Sequence, residues 1–200
     1  MNTLEIPKLP SRLILEPALT DEEFEQMSMA NELVKLERTK EGKIVVNPPR
    51  GLDSSSGNIE ISRQLANWWR QHRKGKVFDS NAGFFLLDGS SLSPDGAYAM
   101  AEQVQGLSSK DRRHFGRFAP AFVIELLSAS DNLSEARQKM EVWLANGAQV
   151  GWLIDPYRRN VWIYEAGRQV RIETGDSVAG TGPVEGFVLE LADIWSQFAD

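Results

Sequence analysis

Apolar residues recur along this chain in two rhythms, one helical and one alternating. Thr20-Asp21-Glu22-Glu23 precedes Phe24 and reads as an N-cap followed by acidic first-turn residues. It predicts a short helix to about Ala30. Leu33, Val34 and Leu36 run into Glu37-Arg38, and Ile44-Val45-Val46 follow Glu41-Gly42. That pattern predicts two strands and a tight turn, stopped by Asn47-Pro48-Pro49. Gly51 to Gly57 is small and polar and reads as a loop. Ile59, Ile61, Leu65, Trp68 and Trp69 then recur at roughly helical spacing up to His72. Val77-Phe78 and Phe84 to Leu87 read as strands. Ser93-Pro94-Asp95-Gly96 precedes a short strand, Ala97 to Met100. The polar stretch from Glu102 to Arg117 reads as a loop with a helix in it.

The clearest unit follows. Phe122-Val123-Ile124-Glu125-Leu126-Leu127 is an apolar strand with one carboxylate inside it, and Ser128 to Asp131 makes a turn. Asn132 to Asn146 reads as a helix ended by Gly147. Val150 to Ile154 is a second apolar strand, stopped by Asp155-Pro156. A strand, a helix and a strand in this order predict a parallel pair covered by the helix. Val161 to Tyr164 and Val170 to Ile172 add two strands, and Leu191 to Phe198 a last short helix. The expected fold class is α/β, a mixed β-sheet flanked by helices. The expected organisation is an N-terminal extension, residues 1–19, and one domain, residues 20–200.

Composition narrows the chemistry. The chain has 200 residues, of which 42% are hydrophobic and 25% charged, which is enough apolar material for a core. It has no cysteine, so thiol catalysis, disulfides and cysteine-ligated metals are excluded. No run approaches the roughly 20 apolar residues of a membrane helix, and the N-terminus lacks the apolar core of a signal peptide. A cytoplasmic protein without a membrane partner is expected. The formal net charge of −6 argues against a strong non-specific grip on nucleic acid. It raises the weight of a bound cation that offsets repulsion between carboxylates.

Glu125 is the most informative residue. A buried strand has no structural use for an ionised carboxylate, which needs a cation, a donor or a metal beside it. An arginine partner or an exposed edge would also account for it. Asp95 alone fits a Pro-Asp-Gly turn. Two carboxylates on neighbouring strands can instead hold one hard cation through oxygen ligands. Lys139 lies beside the apolar face made by Leu133, Ala136, Met140, Trp143 and Leu144, where it is either solvated or able to swing towards the sheet. Glu37 is either a surface residue or a third carboxylate. His72 and His114 sit in basic surroundings and read as solvated. The basic runs Arg70 to Lys76 and Lys110 to Arg117 are candidates for phosphate contacts, although such runs are usually solvated faces. The sequence has no Walker loop, nucleophile elbow, dinucleotide fingerprint or zinc-protease spacing.

The order of these pieces resembles a known family. Ser93-Pro94-Asp95, then Val123 to Ser130, then Lys139-Met140, Asn146-Gly147-Ala148 and Gly151 to Pro156 are similar to the Uma family of restriction endonucleases, within the PD-(D/E)xK superfamily. The likeness extends upstream to Glu37, Gly42, Val45-Val46, Asn47-Pro48-Pro49 and Gly83-Phe84, and covers about residues 20–195. It implies a restriction-endonuclease-like fold, with Asp95 and Glu125 as metal ligands. It also implies Lys139 as the active-site lysine and Glu37 as an additional acid. The standard motif puts lysine two residues after the glutamate, where this chain has Leu127. The family pattern supplies it from the following helix, hence Lys139. Ala129 stands where many members have proline.

The implied activity is magnesium- or manganese-dependent hydrolysis of DNA phosphodiesters. Superfamily habit suggests a homodimer, for which Trp152, Trp162 and Tyr164 could offer a face. Two alternatives share the same site: a catalytically silent module that binds nucleic acid or protein, and a nuclease or phosphatase acting on RNA or small nucleotides.

Overall fold

A computed structural model describes residues 13–16 and 18–198. β1 (Leu13–Leu15) leads to α1 (Asp21–Ala30). The helix opens on a reciprocal cap: the Thr20 hydroxyl accepts the Glu23 amide at 3.2 Å, and the Glu23 carboxylate accepts the Thr20 amide at 2.8 Å. β2 (Lys35–Arg38) and β3 (Ile44–Asn47) form the expected hairpin. Gly42 turns it with a φ of 82°, a conformation that favours a residue without a side chain. β1 pairs antiparallel with β3. Residues 13–15, which fall in the expected extension, therefore join a sheet.

Residues 51–57 were expected as a loop, yet α2 (Leu52–His72) begins there. Small size here serves packing. Ser54 and Gly57 are buried, and a Cβ on Gly57 would stand 2.8 Å from the Leu126 side chain and 3.0 Å from the Phe198 ring. Asp53 sits in the first turn, where a carboxylate suits the helix dipole. Gly57→Val is expected to lower unfolding free energy by about 1–3 kcal/mol in urea titration, because overpacking outweighs the gain in helix propensity. An increase in stability would show that the close approach is unimportant.

β4 (Lys76–Phe78), β5 (Phe84–Phe85), β6 (Ser91–Leu92) and β7 (Gly96–Ala99) follow. The apolar run 84–87 is only half strand: Leu86 bonds back to Ser90 across a turn, and Leu87 projects into solvent. The polar stretch holds α3 (Ala101–Val104) and a 3-10 turn, Asp111–Arg113. β8 (Phe122–Leu126), α4 (Leu133–Ala145) and β9 (Val150–Asp155) make the expected parallel crossover, with Glu125 opposite Leu153. β10 (Asn160–Glu165) and β11 (Arg171–Thr174) extend the sheet antiparallel. β12 (Ser177–Ala179) and β13 (Val188–Glu190) form a small hairpin that the pattern did not announce. The last helix is shorter than expected: α5 (Leu191–Trp195) passes into a 3-10 turn, Ser196–Phe198.

The main sheet runs β11-β10-β9-β8-β7-β4, and a second runs β1-β3-β2-β6-β5. One face of the main sheet packs Phe122, Ile124, Leu126 and Trp152 against Ile61, Leu65 and Trp68 of α2. The other packs Val123, Leu127 and Leu153 against Met140 and Trp143 of α4. Among the described residues, no helix is long and apolar enough to cross a membrane.

Candidate active site

The two-residue period of β8 decides where Glu125 goes. Phe122, Ile124 and Leu126 face α2, so Val123, Glu125 and Leu127 face α4. Connected to β8 by a short turn, α4 brings Lys139 and Trp143 over the carboxylate. The Lys139 ammonium lies 2.8 Å from Glu125 Oε1 and 3.0 Å from Oε2. The Trp143 indole Nε1–H donates to Glu125 Oε1 at 3.0 Å.

Asp95 immediately precedes β7, whose Gly96 pairs with Ile124. Continuing that antiparallel register by one residue sets Asp95 across from Glu125. The Asp95 amide donates to the Ile124 carbonyl at 2.9 Å, and its Oδ2 accepts the Leu126 amide at 2.9 Å. Both carboxylates are buried. Glu37 arrives from β2 in the second sheet, which joins the cluster through Ser93. Glu37 Oε1 accepts the Ser93 amide at 3.1 Å and lies 2.7 Å from the Lys139 ammonium. Its Oε2 accepts Asn47 Nδ2 at 3.2 Å. Lys139 also donates to the Ser93 carbonyl at 3.1 Å. Glu37, Asp95, Glu125 and Lys139 thus meet in one place.

Burial disfavours charge on Glu37, but the ammoniums of Lys139 and Lys35 and the Ser93 amide outweigh it and hold the carboxyl at about 2. Glu125 goes the other way. Burial raises its pKa, Lys139 and Lys35 oppose that, and the negative charges of Asp95 and Glu37 add to the rise. Burial would also neutralise Lys139, yet Glu125, Glu37 and Asp95 keep its pKa above the ordinary lysine value. Lys139 therefore stays an ammonium near neutral pH, able to donate hydrogen bonds but not to act as a base.

The donor set fits a hard divalent cation. Asp95 and Glu125 offer carboxylate oxygens, and Asn58 Oδ1 is buried with no hydrogen-bond partner, its Nδ2 lying 3.5 Å from Asp95 Oδ1. Calcium- and magnesium-type ions prefer such oxygen ligands, with water completing the shell. Among the described residues, no three His, Cys, Asp or Glu side chains form a ready-made cage. Lys139 bridges Glu37 and Glu125, while Arg50 covers Asp95.

The profile of the Uma2 family, described as "Putative restriction endonuclease", matches residues 21–192. The chain belongs to the Uma2 family. A crystal structure from Anabaena variabilis ATCC 29413, of a "putative nuclease belonging to DUF820", is similar at a TM-score of 0.70 and 19% identity. The match covers 82% of this chain and 92% of that one. At that identity the likeness shows a shared fold, the restriction-endonuclease-like one. Comparison with curated protein sequences returned no significant match.

Several members of this Uma2 site escaped the sequence reading. Arg50 Nη2 lies 3.1 Å from each Asp95 oxygen, and the Lys35 ammonium 3.8 Å from Asp95 Oδ1. Arg50 follows two prolines and Lys35 lies in β2, and nothing in the sequence pattern singled out either. Trp143 was read as core alone, without its indole donor. Asn58 had no distinguishing signal, whereas a buried carboxylate at Asp95 could have prompted a search for its cation.

Other candidates lie elsewhere. Arg70 to Lys76 straddle the far end of α2, roughly 20 Å along the helix from Asn58. In the other basic run, Arg117 pairs with Asp21 and Glu22, and His114 with Glu25. His72 Nδ1 bonds the Trp68 carbonyl. Trp152, Trp162 and Tyr164 are buried in the core and offer no dimer face.

Proposed function

We propose that this Uma2 protein is a magnesium- or manganese-dependent endonuclease that hydrolyses DNA phosphodiesters. The observation that carries the reading is the convergence of Glu37, Asp95, Glu125 and Lys139, from four separate segments, in one largely buried cluster. Asp95 and Glu125 are the residues that would hold the ion, with Asn58 Oδ1 as a further oxygen. A divalent cation there supplies Lewis-acid polarisation of the phosphate and greater acidity for the attacking water. Lys139, kept protonated by its acids, orients that water and donates to the charge growing on the phosphoryl oxygens. Glu37 holds Lys139 in place and takes part in water binding. Trp143 fixes the rotamer of Glu125.

Purified protein incubated with supercoiled plasmid and manganese is expected to cut it. Chelation by EDTA should return cleavage to background, and magnesium or manganese in excess should restore it. Cleavage that persists under chelation, or no cleavage with either ion, would sink the reading. A substrate screen including RNA and short nucleotides reports the competing substrate class. We further propose that two copies act together on a duplex. Direct conversion of supercoiled to linear plasmid is the expected product pattern, and accumulation of nicked circles the contrary one.

A further inference from the structure

Arg50 occupies an unusual position. One side-chain nitrogen lies 3.1 Å from both oxygens of Asp95. The other lies 3.1 Å from the Leu126 carbonyl oxygen and 3.3 Å from Asp131 Oδ2. The guanidinium thus contacts four oxygens, two of them on a residue proposed to hold the cation. Asn58, nearly two turns into α2, which starts just after Arg50, adds its unpartnered buried oxygen beside them. A guanidinium and a divalent ion cannot share this cup: both are positive and both require the Asp95 oxygens.

The second observation concerns where the side chain can go. Arg50 also lines an open groove of about 730 Å³, beside Ser55, Asn58, Ser62, Asn81 and one acid, Asp79. Ser, Asn and Arg are the side chains that usually hold sugar and phosphate oxygens. Arg63, on the same groove, is already engaged by Glu60. Arg50 therefore stands at the junction of the carboxylate cluster and an open groove roomy enough for a nucleotide-sized group.

We propose that Arg50 is a substrate-binding residue held in reserve: it neutralises Asp95 until a divalent cation displaces it, and then binds a phosphodiester oxygen in the groove. The inference rests on the cation reading above and adds an order to it, metal before substrate. The planar fork of the guanidinium suits either partner, carboxylate or phosphate.

The test compares the wild-type chain with Arg50→Gln in two titrations. Calorimetry with manganese is expected to give about tenfold tighter binding in the variant, because its competitor for Asp95 is gone. Anisotropy with a fluorescein-labelled duplex oligonucleotide, with calcium in place of manganese, is expected to give about tenfold weaker binding. A residue that merely supported the fold would weaken both. Arg50→Lys keeps the charge without the fork and serves if Arg50→Gln does not fold; smaller changes of the same two signs are expected. Manganese affinity that is equal or lower in the folded variants overturns the proposal, as does an unchanged affinity for the oligonucleotide. Absence of manganese binding in all three proteins defeats the cation reading as well, which separates the two failures.

Discussion

Lys139→Met is expected to lose activity and stability together. The ammonium is the shared partner of Glu37 and Glu125, at 2.7 and 2.8 Å. Methionine fills similar space but leaves two buried carboxylates without their cation. Removing one partner of a buried ion pair costs about 3–5 kcal/mol. Lys139 keeps 20% of its side chain exposed, so the lower end of that range is expected. Cleavage should fall about 10²–10³-fold, the usual loss for one donor to a developing oxyanion. Glu125→Gln supplies the contrast. Burial and the neighbouring acids raise the Glu125 pKa, so folding disfavours its charged form near neutral pH. An uncharged amide should therefore fold at least as well, while cleavage is lost. Urea unfolding beside plasmid cleavage measures both. Equal stability of the two variants would show that Lys139 does not balance the acids.

Trp143→Ala is expected to be the most destabilising single change in α4. The side chain is fully buried, and emptying such a site costs about 3–5 kcal/mol. It also removes the indole that donates to Glu125 Oε1 at 3.0 Å. Trp143→Phe separates the two roles: most of the packing stays, so the loss should be about 1–3 kcal/mol for one hydrogen bond to a carboxylate that keeps Lys139. Cleavage should still fall about 10- to 100-fold, because a misplaced Glu125 misplaces whatever it holds. Full activity in Trp143→Phe would reduce the tryptophan to packing.

These contrasts mark how far the sequence could be read. The β8–α4–β9 crossover was legible because apolar runs, the Asn132 cap and the Gly147 stop all agree. Glu125 was legible because a carboxylate inside Phe-Val-Ile-Glu-Leu-Leu has no cheap explanation. Lys139, twelve residues past the standard motif position at Leu127, came from the family pattern; periodicity alone left it solvated or swung inward. What stayed hidden has physical causes. The first turns of α2 are small and polar because the helix lies close to Leu126 and Phe198, and small polar residues also make loops. Arg50 acts across 45 positions of chain, a separation no local pattern carries. Trp143 presents an apolar body to the core and a single donor to Glu125, and only its body shows in a hydrophobic pattern.

The cluster takes its members from β2, the segment before β7, β8 and α4, residues 37 to 143. Any fragment that stops short of either end of this span lacks a member. A nascent polypeptide has no complete constellation until α4 has left the ribosome and docked on the sheet. A proteolytic nick that lets the halves part dismantles it at once. On the proposed nuclease reading, competence to cut would arrive only once the whole span from β2 to α4 has docked.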